Sequence, residues 1–277
     1  MAVSRNKFRR PFFVAVIVVF ALLAYAWQIE PRRIGVTRLR LPDALARALG
    51  NERVVYIADL HVMRGWIQER PLLATLAALD PDYLLVGGDL VWYEGDVDRT
   101  LELLKRLHAR KGVFAVLGDS DYNGRVRNCA YCHVPETREL RHDLPVRVLR
   151  NEAVELAGGK VRLVGLDVEE RGGWAPTVDR WLDGREPTIV LTHFPYALPV
   201  IASRGADLVL AADTHGGQIA APRWMIRLLF GPLREHFLYG WFHERSTPMF
   251  VTRGIGESIV PLRFGRPPEV VLFTGGN

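Results

Sequence analysis

The chain has 277 residues, 49% of them hydrophobic, which is enough for one large core and an ordinary length for a single α/β domain. Its formal net charge of +5 lies in the first 33 residues, where Arg5, Lys7, Arg9, Arg10, Arg32 and Arg33 face only Glu30. A basic tail on a neutral body argues against nucleic-acid binding, and no repeat or low-complexity tract is visible.

Residues 1–10 form the basic tail, expected in the cytoplasm. Pro11 to Trp27 is an unbroken apolar run, at the short end of the roughly 17 to 25 residues that span a bilayer. Retained, residues 11–27 are a transmembrane signal anchor. Cleaved, they are an export signal with Ala24-Tyr25-Ala26 as the small-x-small site, and Arg9-Arg10-Pro11-Phe12-Phe13 resembles a twin-arginine signal. Retention is preferred because nothing forces cleavage. Both readings place the following domain, residues 51–277, on the periplasmic or extracellular side of a bacterial inner membrane. Residues 28–50 read as a linker that ends in a short amphipathic turn or helix, Pro42 to Leu49.

Val54 to Ala58 then reads as a buried strand ending in Asp59-Leu60-His61, and an extended backbone would point those two side chains the same way. Taken alone, the pair is equally a helix N-cap aspartate beside a surface histidine. A helix over Leu72 to Leu79 is followed by the strand Tyr83 to Val86, which ends in Gly87-Gly88-Asp89. A helix over Leu101 to Ala109 is followed by the strand Val113 to Leu117, which ends in Gly118-Asp119-Ser120-Asp121. Arg147 to Leu156 and Lys160 to Leu166 read as two antiparallel strands across Ala157-Gly158-Gly159. Thr188 to Thr192 ends in His193, and the strand after Asp207 ends in Asp213-Thr214-His215-Gly216-Gly217. This alternation predicts a layered α/β domain, and five strand ends offer carboxylates and imidazoles to divalent ions.

The motifs resemble those of the calcineurin-like metallophosphoesterases, Asp-x-His, Gly-Asp, Gly-Asn-His-Asp/Glu, His and Gly-His-x-His. The likeness runs from about Arg53 to Phe273. Its tail, Thr252-Arg253-Gly254-Ile255-Gly256-Glu257-Ser258 and onward through a Pro-x-Arg to Pro267-Pro268-Glu269, is similar to that of a membrane-associated branch. That branch includes YkuE-like and UDP-diacylglucosamine-cleaving phosphodiesterases. The resemblance implies a four-layer sandwich, two mixed β-sheets flanked by helices. It also implies a binuclear site in which Asp59, His61 and His215 hold one metal, Asp89 bridges, and His193 holds the second with positions 119 and 213.

Those two positions are asparagine and histidine in the family and aspartate here, and Ser120 stands where the family has its catalytic histidine. Both ligand changes substitute another ligand, giving a harder and more anionic second site that favours manganese, with magnesium, iron, zinc and calcium as alternatives. The implied reaction is hydrolysis of a phosphodiester or pyrophosphate, in which two ions activate a bridging water for in-line attack. Asp89, Ser120 and Asp121 are the expected catalytic residues; His133 or His142 could stand in for the absent histidine, though each reads more readily as an exposed loop histidine. The competing reading is a descendant that binds metal without catalysis and serves as a sensor or partner-binding module.

Two features lie outside these motifs. Cys129-Ala130-Tyr131-Cys132-His133 has the spacing of c-type haem attachment and also that of a disulfide or a thiol pair. No neighbouring sequence resembles a cytochrome, which ranks haem last. Between Pro222 and Phe242, apolar and aromatic residues interleave with arginines, as in an interfacial membrane element or a helical cap on the core. The expected partners are therefore a phosphoester substrate, lipid-linked in preference, and the membrane, with the chain as a monomer and no nucleic acid bound.

Overall fold

The computed structural model describes residues 6–63, 65–92, 96–122, 143–168 and 173–275. Cys129, Cys132, His133 and His142 fall outside them. Helix α1 (Asn6–Ala24) continues through a π turn, Tyr25–Ile29, and a 3-10 turn, Glu30–Arg32. The stretch Pro11–Arg32 is long and apolar enough to cross a bilayer, and its most apolar 18-residue window is only 6% buried.

The chain then forms β1 (Gly35–Arg40), α2 (Asp43–Leu49), β2 (Val54–Ile57), α3 (Glu69–Leu79), β3 (Tyr83–Gly87), α4 (Val97–Arg106), β4 (Gly112–Val116) and β5 (Val146–Val148). It continues with β6 (Glu152–Leu156), β7 (Val161–Gly165), α5 (Ala175–Trp181), β8 (Thr188–Leu191), α6 (Leu198–Ala202) and β9 (Leu208–Ala211). Helix α7 (Arg223–His236) and strands β10 (Gly240–Glu244), β11 (Thr247–Val251) and β12 (Glu269–Thr274) complete it.

The strands make two six-stranded sheets, ordered β1-β12-β2-β3-β4-β5 and β10-β11-β9-β8-β7-β6. Both are mixed. In the first, β2 to β5 run parallel and β12 is antiparallel to β2; in the second, β7, β8, β9 and β11 are parallel, and β6 and β10 are antiparallel to their neighbours.

Alternation along each strand divides the apolar residues between two faces. Val54 and Tyr56 of β2, Leu85 of β3, Leu191 of β8, Leu210 of β9 and Phe273 of β12 fill the space between the sheets. Val55 and Ile57 of β2 face the other way, against Leu72 and Leu76 of α3 and Leu101 and Leu104 of α4. On the outer side of the second sheet, Val190 and Val209 meet Val178 of α5 and Leu198 and Ile201 of α6. Because these strands bury both faces they read as continuous apolar runs, and the result is the helix, sheet, sheet, helix layering that the resemblance implied.

Two expectations are corrected. The stretch 28–50 is not merely a linker: β1 pairs in parallel with β12 from Gly35↔Glu269 to Arg40↔Thr274, and Leu45 and Leu49 of α2 are buried in the central core. The sheet thus begins at Gly35, not after residue 50. The single strand read over Arg147 to Leu156 is two, β5 in the first sheet and β6 in the second. The chain changes sheets at Leu149-Arg150-Asn151, where Asn151 takes φ 57° and its side chain accepts the Asp167 N–H at 2.9 Å, a left-handed corner that asparagine tolerates better than most residues.

Candidate metal centre

The carboxyl ends of β2, β3, β4, β8 and β9 meet along one edge where the two sheets face each other, and the candidate ligands sit just past those ends. Their backbone is not extended. Asp59, His61, Asp89, Asp213 and His215 have φ of 52°, 45°, 52°, 72° and 52°, left-handed conformations that each cost a non-glycine residue roughly 1–2 kcal/mol. Sequence reasoning placed Asp59 and His61 on one side by strand alternation; the structure does it with two left-handed residues flanking Leu60.

The strain is held by hydrogen bonds between the loops that follow β2 and β3, from Asp59 N to Gly88 O (3.0 Å), His61 N to Asp89 O (2.9 Å) and Val62 N to Leu90 O (3.0 Å). Two glycines let the backbone close around the site. A Cβ at Gly88, φ +92°, would lie 2.9 Å from His193 Nδ1, and one at Gly254, φ +65°, would lie 2.6 Å from Asp59 Oδ2.

Asp89 is central. Its Oδ2 lies 3.2 Å from His61 Nε2 and 3.6 Å from His193 Nε2. His61 Nε2 is in turn 3.0 Å from His215 Nε2, with the two rings stacked. Donor atoms of Asp59, Asp89 and His193 lie within 4.8 Å of one another, and so do those of Asp119, His193 and Asp213. All seven residues that the sequence nominated as ligands are therefore brought to one place.

The donor set fits divalent ions. His193 Nδ1 donates to Gly87 O at 2.9 Å, which turns the Nε2 lone pair toward the carboxylates of Asp89 and Asp119. That nitrogen, Asp59 Oδ2 and Asp213 Oδ2 are buried with no hydrogen-bond partner among the described residues. Burial of acceptors facing acceptors costs several kcal/mol unless a cation lies between them.

The electrostatics point the same way. Burial pushes the Asp59 carboxyl up to about 8, with Asp89 and Asp213 adding to the rise against the opposing effect of His193. Burial also raises Asp213 and lowers His61 and His215. For His193 burial acts downward, but Asp89, Asp119, Asp59 and Asp213 together hold it well above the ordinary histidine value. Without metal, the cluster retains protons in place of cations.

Ser120 and Asp121 serve the backbone. The Ser120 hydroxyl donates to Val91 O at 2.7 Å. Both Asp121 oxygens are occupied, Oδ1 by the N–H groups of Leu90 and Val91 at 2.8 and 3.2 Å and Oδ2 by that of Gly118 at 2.9 Å. In this structure both residues hold the β3 and β4 loops together, because a buried carboxylate is the acceptor that three buried N–H groups require.

Two arginines were not foreseen as part of the site. Arg234 of α7 donates from Nη2 to Asp213 Oδ1 at 2.8 Å. Arg263, fully buried, donates to the carbonyls of Gly256, Arg253 and Arg266 at 2.6, 2.9 and 3.0 Å behind His215; burial lowers it to about 10, so it stays charged at neutral pH. The Pro-x-Arg of the tail motif was the signal for Arg263. Nothing in the spacing pointed Arg234 at Asp213. Beside Asp213 and His215 lies a cavity of about 170 Å³ walled by Ile226, Leu229, Phe230, Ile259 and Val260.

The family model for calcineurin-like phosphoesterases matches residues 52–217. Among curated relatives, the metallophosphoesterase YkuE of Bacillus subtilis is 27% identical, covering 98% of this chain and 97% of its own. The phosphodiesterase YaeI of Escherichia coli is 28% identical, covering 98% of each. The UDP-2,3-diacylglucosamine pyrophosphatase LpxG of Chlamydia trachomatis is 26% identical, covering 93% of this chain and 94% of its own.

Proposed function

Since the chain belongs to the calcineurin-like phosphoesterase family, we propose that it is a metal-dependent hydrolase of a phosphodiester or pyrophosphate, lipid-linked in preference. The observation that carries this reading is the pair of candidate ligand groups, Asp59–Asp89–His193 and Asp119–His193–Asp213, which meet at His193 and hold several buried, unpartnered donor atoms. In this reading Asp59, His61, His215 and Asp89 hold one ion. Asp89, His193, Asp119 and Asp213 hold the second, with aspartates in the two places where the family has other ligands, and manganese is the favoured metal. When bound, two such ions supply Lewis acidity to phosphoryl oxygens and a lowered pKa for the attacking water.

The protein's own share is positional. The bond from His193 to Gly87 O fixes the imidazole, and the Asp121 clamp fixes the loops that carry Asp89 and Asp119. With the Ser120 hydroxyl engaged, the leaving oxygen needs another source of positive charge, and Arg234, already at Asp213, supplies it. The chain is read as a monomer held by α1 in a bacterial inner membrane with the domain on the outer side. The relatives named as a phosphodiesterase and as a pyrophosphatase of a diacylated nucleotide sugar support the bond type and the lipid preference.

The test is hydrolysis of bis-p-nitrophenyl phosphate by the full chain in detergent, stripped of metal and then reloaded with manganese, magnesium, zinc or calcium, beside Asp89→Ala. Metal-dependent turnover that Asp89→Ala abolishes is expected. Metal binding by calorimetry without turnover of this diester or of a diacyl pyrophosphodiester would replace the reading with the non-catalytic metal-binding module.

A further inference from the structure

Among the described residues, the exposed large apolar side chains fall in two zones apart from Tyr196. Outside residues 12–29 they are, among the described residues, Tyr196 and members of two segments, 224–241 and 259–264. Helix α7 is apolar on both faces. Ile226 is buried, while Trp224 and Leu228, one turn apart on the opposite face, are 67% and 76% exposed, and Leu233 beyond the kink at Gly231 is 61% exposed. A helix that packs one face on its own protein needs no apolar residues on the other unless something covers it.

The two zones are physically joined. Arg263 N donates to Ala26 O at 2.9 Å, and Arg266 N donates to Glu30 Oε1 at 2.7 Å; Ala26 and Glu30 are both buried. The same segment bridges Phe264 to Ile219, with Ala220 N donating to Phe264 O at 2.7 Å, on the approach to α7. The end of α1 is thus fixed through 263–266 to the loop that carries His215 into α7.

We infer that the outer face of α7 and the 259–264 segment lie in the lipid leaflet from which α1 emerges, so that the domain is seated on the membrane with the cavity beside Asp213 and His215 opening toward the bilayer. The inference rests on α1 being retained as a span, as proposed above. A span bonded directly to the domain fixes its orientation, and among the described residues the only other extensive apolar surface is the one joined to that span. Its chemistry suits the interface: Trp224, Leu228 and Leu233 for the acyl boundary, and the exposed Arg227 between them for the phosphates. Leu229, Phe230, Ile259 and Val260 belong both to this exposed surface and to the cavity wall, giving an acyl-bearing phosphoester a path to the ligands that never crosses water.

The experiment uses the full chain with Cys129→Ser and Cys132→Ser, reconstituted into vesicles of phosphatidylethanolamine and phosphatidylglycerol. A nitroxide is placed at Leu228→Cys, at Leu233→Cys, or at Arg185→Cys, an exposed position before the amino end of β8 at the opposite edge of the sheets. The labels at 228 and 233 are expected to collide several-fold less with a water-soluble relaxing agent, and several-fold more with oxygen, than the label at 185. A chain that fails to float with the vesicles would overturn both the retained span and this surface. A chain that floats with all three labels equally open to water would overturn the surface alone, leaving the hydrolase reading intact.

Discussion

At the scale of single residues, the site is a set of side chains each made unfavourable by burial and made compatible by its neighbours. Asp59 is the extreme case: wholly buried, with Oδ2 unpartnered and its carboxyl pushed up to about 8. A carboxyl raised in the folded state binds a proton that the unfolded chain has already lost, so its contribution to stability falls as pH rises toward the folded pKa. His193, raised well above 6.5, acts in the same direction, while His61 and His215, both lowered, weaken the fold only below about pH 6.5. Above that value nothing in the site opposes the trend. Metal-stripped protein should therefore lose about 1–2 kcal/mol from Asp59 between pH 6.5 and 8, with His193 adding in the same direction, and saturating manganese should abolish or reverse the loss because the ion replaces the protons. Urea denaturation at the two pH values, with and without manganese, measures this; a metal-free midpoint that rises with pH would show that the buried carboxyls are not protonated. The identities of these residues were legible in the sequence because aspartate and histidine recur at the ends of apolar runs. Their geometry was not, since a left-handed φ at Asp59 or His215 leaves no trace in residue type the way a glycine does.

Among the elements, α7 shows where reading by pattern stops. Its apolar and basic residues were visible as a segment suited to an interface or a cap, and the structure gives it both surfaces, with Ile226 inward and Trp224 and Leu228 outward. That its last turn carries Arg234 to Asp213, 21 residues away in sequence, depends on the bend at Gly231-Pro232, where Gly231 takes φ 86°. The guanidinium neutralises one carboxylate of the second ligand group. Arg234→Ala should consequently tighten manganese binding, because Asp213 is freed, while lowering kcat by about 10²-fold through loss of positive charge at the leaving oxygen. Calorimetry and turnover measured on the same preparation separate the two effects, and an unchanged kcat would remove α7 from the reaction. Strand β1 is the opposite case. Gly35 to Arg40 carries three arginine or threonine side chains in six residues and reads as linker, because an edge strand hydrogen-bonds on one side only and needs few apolar residues. Its partner, β12, lies at the far end of the chain, beyond the reach of local periodicity.

For the molecule as a whole, the site works only if two sheets with separate outer cores hold a fixed separation, and Glu269 is the residue that ties them where the ligands sit. Fully buried at the start of β12, it accepts from Thr37 Oγ1 of β1 at 2.5 Å, 232 residues away, and from Arg253 Nη2 at 2.9 Å. It also accepts from Thr252 Oγ1 at 3.1 Å and Arg253 N at 3.2 Å, just past β11 of the second sheet. Its own N–H donates to Gly254 O at 3.0 Å, and Gly254 is the residue packed against Asp59. The tail motif brought Glu269 to notice in the sequence, but its role depends on both chain ends meeting the β11 exit, which only the closed sandwich brings about. Removing the carboxylate strands the half-buried Arg253 guanidinium, the hydroxyls of Thr37 and Thr252 and the Arg253 N–H at once. Glu269→Ala should therefore cost about 3–5 kcal/mol of unfolding free energy, whereas Glu269→Gln, which keeps an oxygen acceptor of the same shape, should cost less than half as much. If the tie positions Gly254 and not only the sheets, Glu269→Gln should also weaken manganese binding while the protein stays folded. Denaturant midpoints and calorimetry on the two variants test both parts. Equal losses from Ala and Gln would mean that the charge, not the set of accepted hydrogen bonds, holds the sheets; unchanged metal affinity in folded Glu269→Gln would confine Glu269 to the frame.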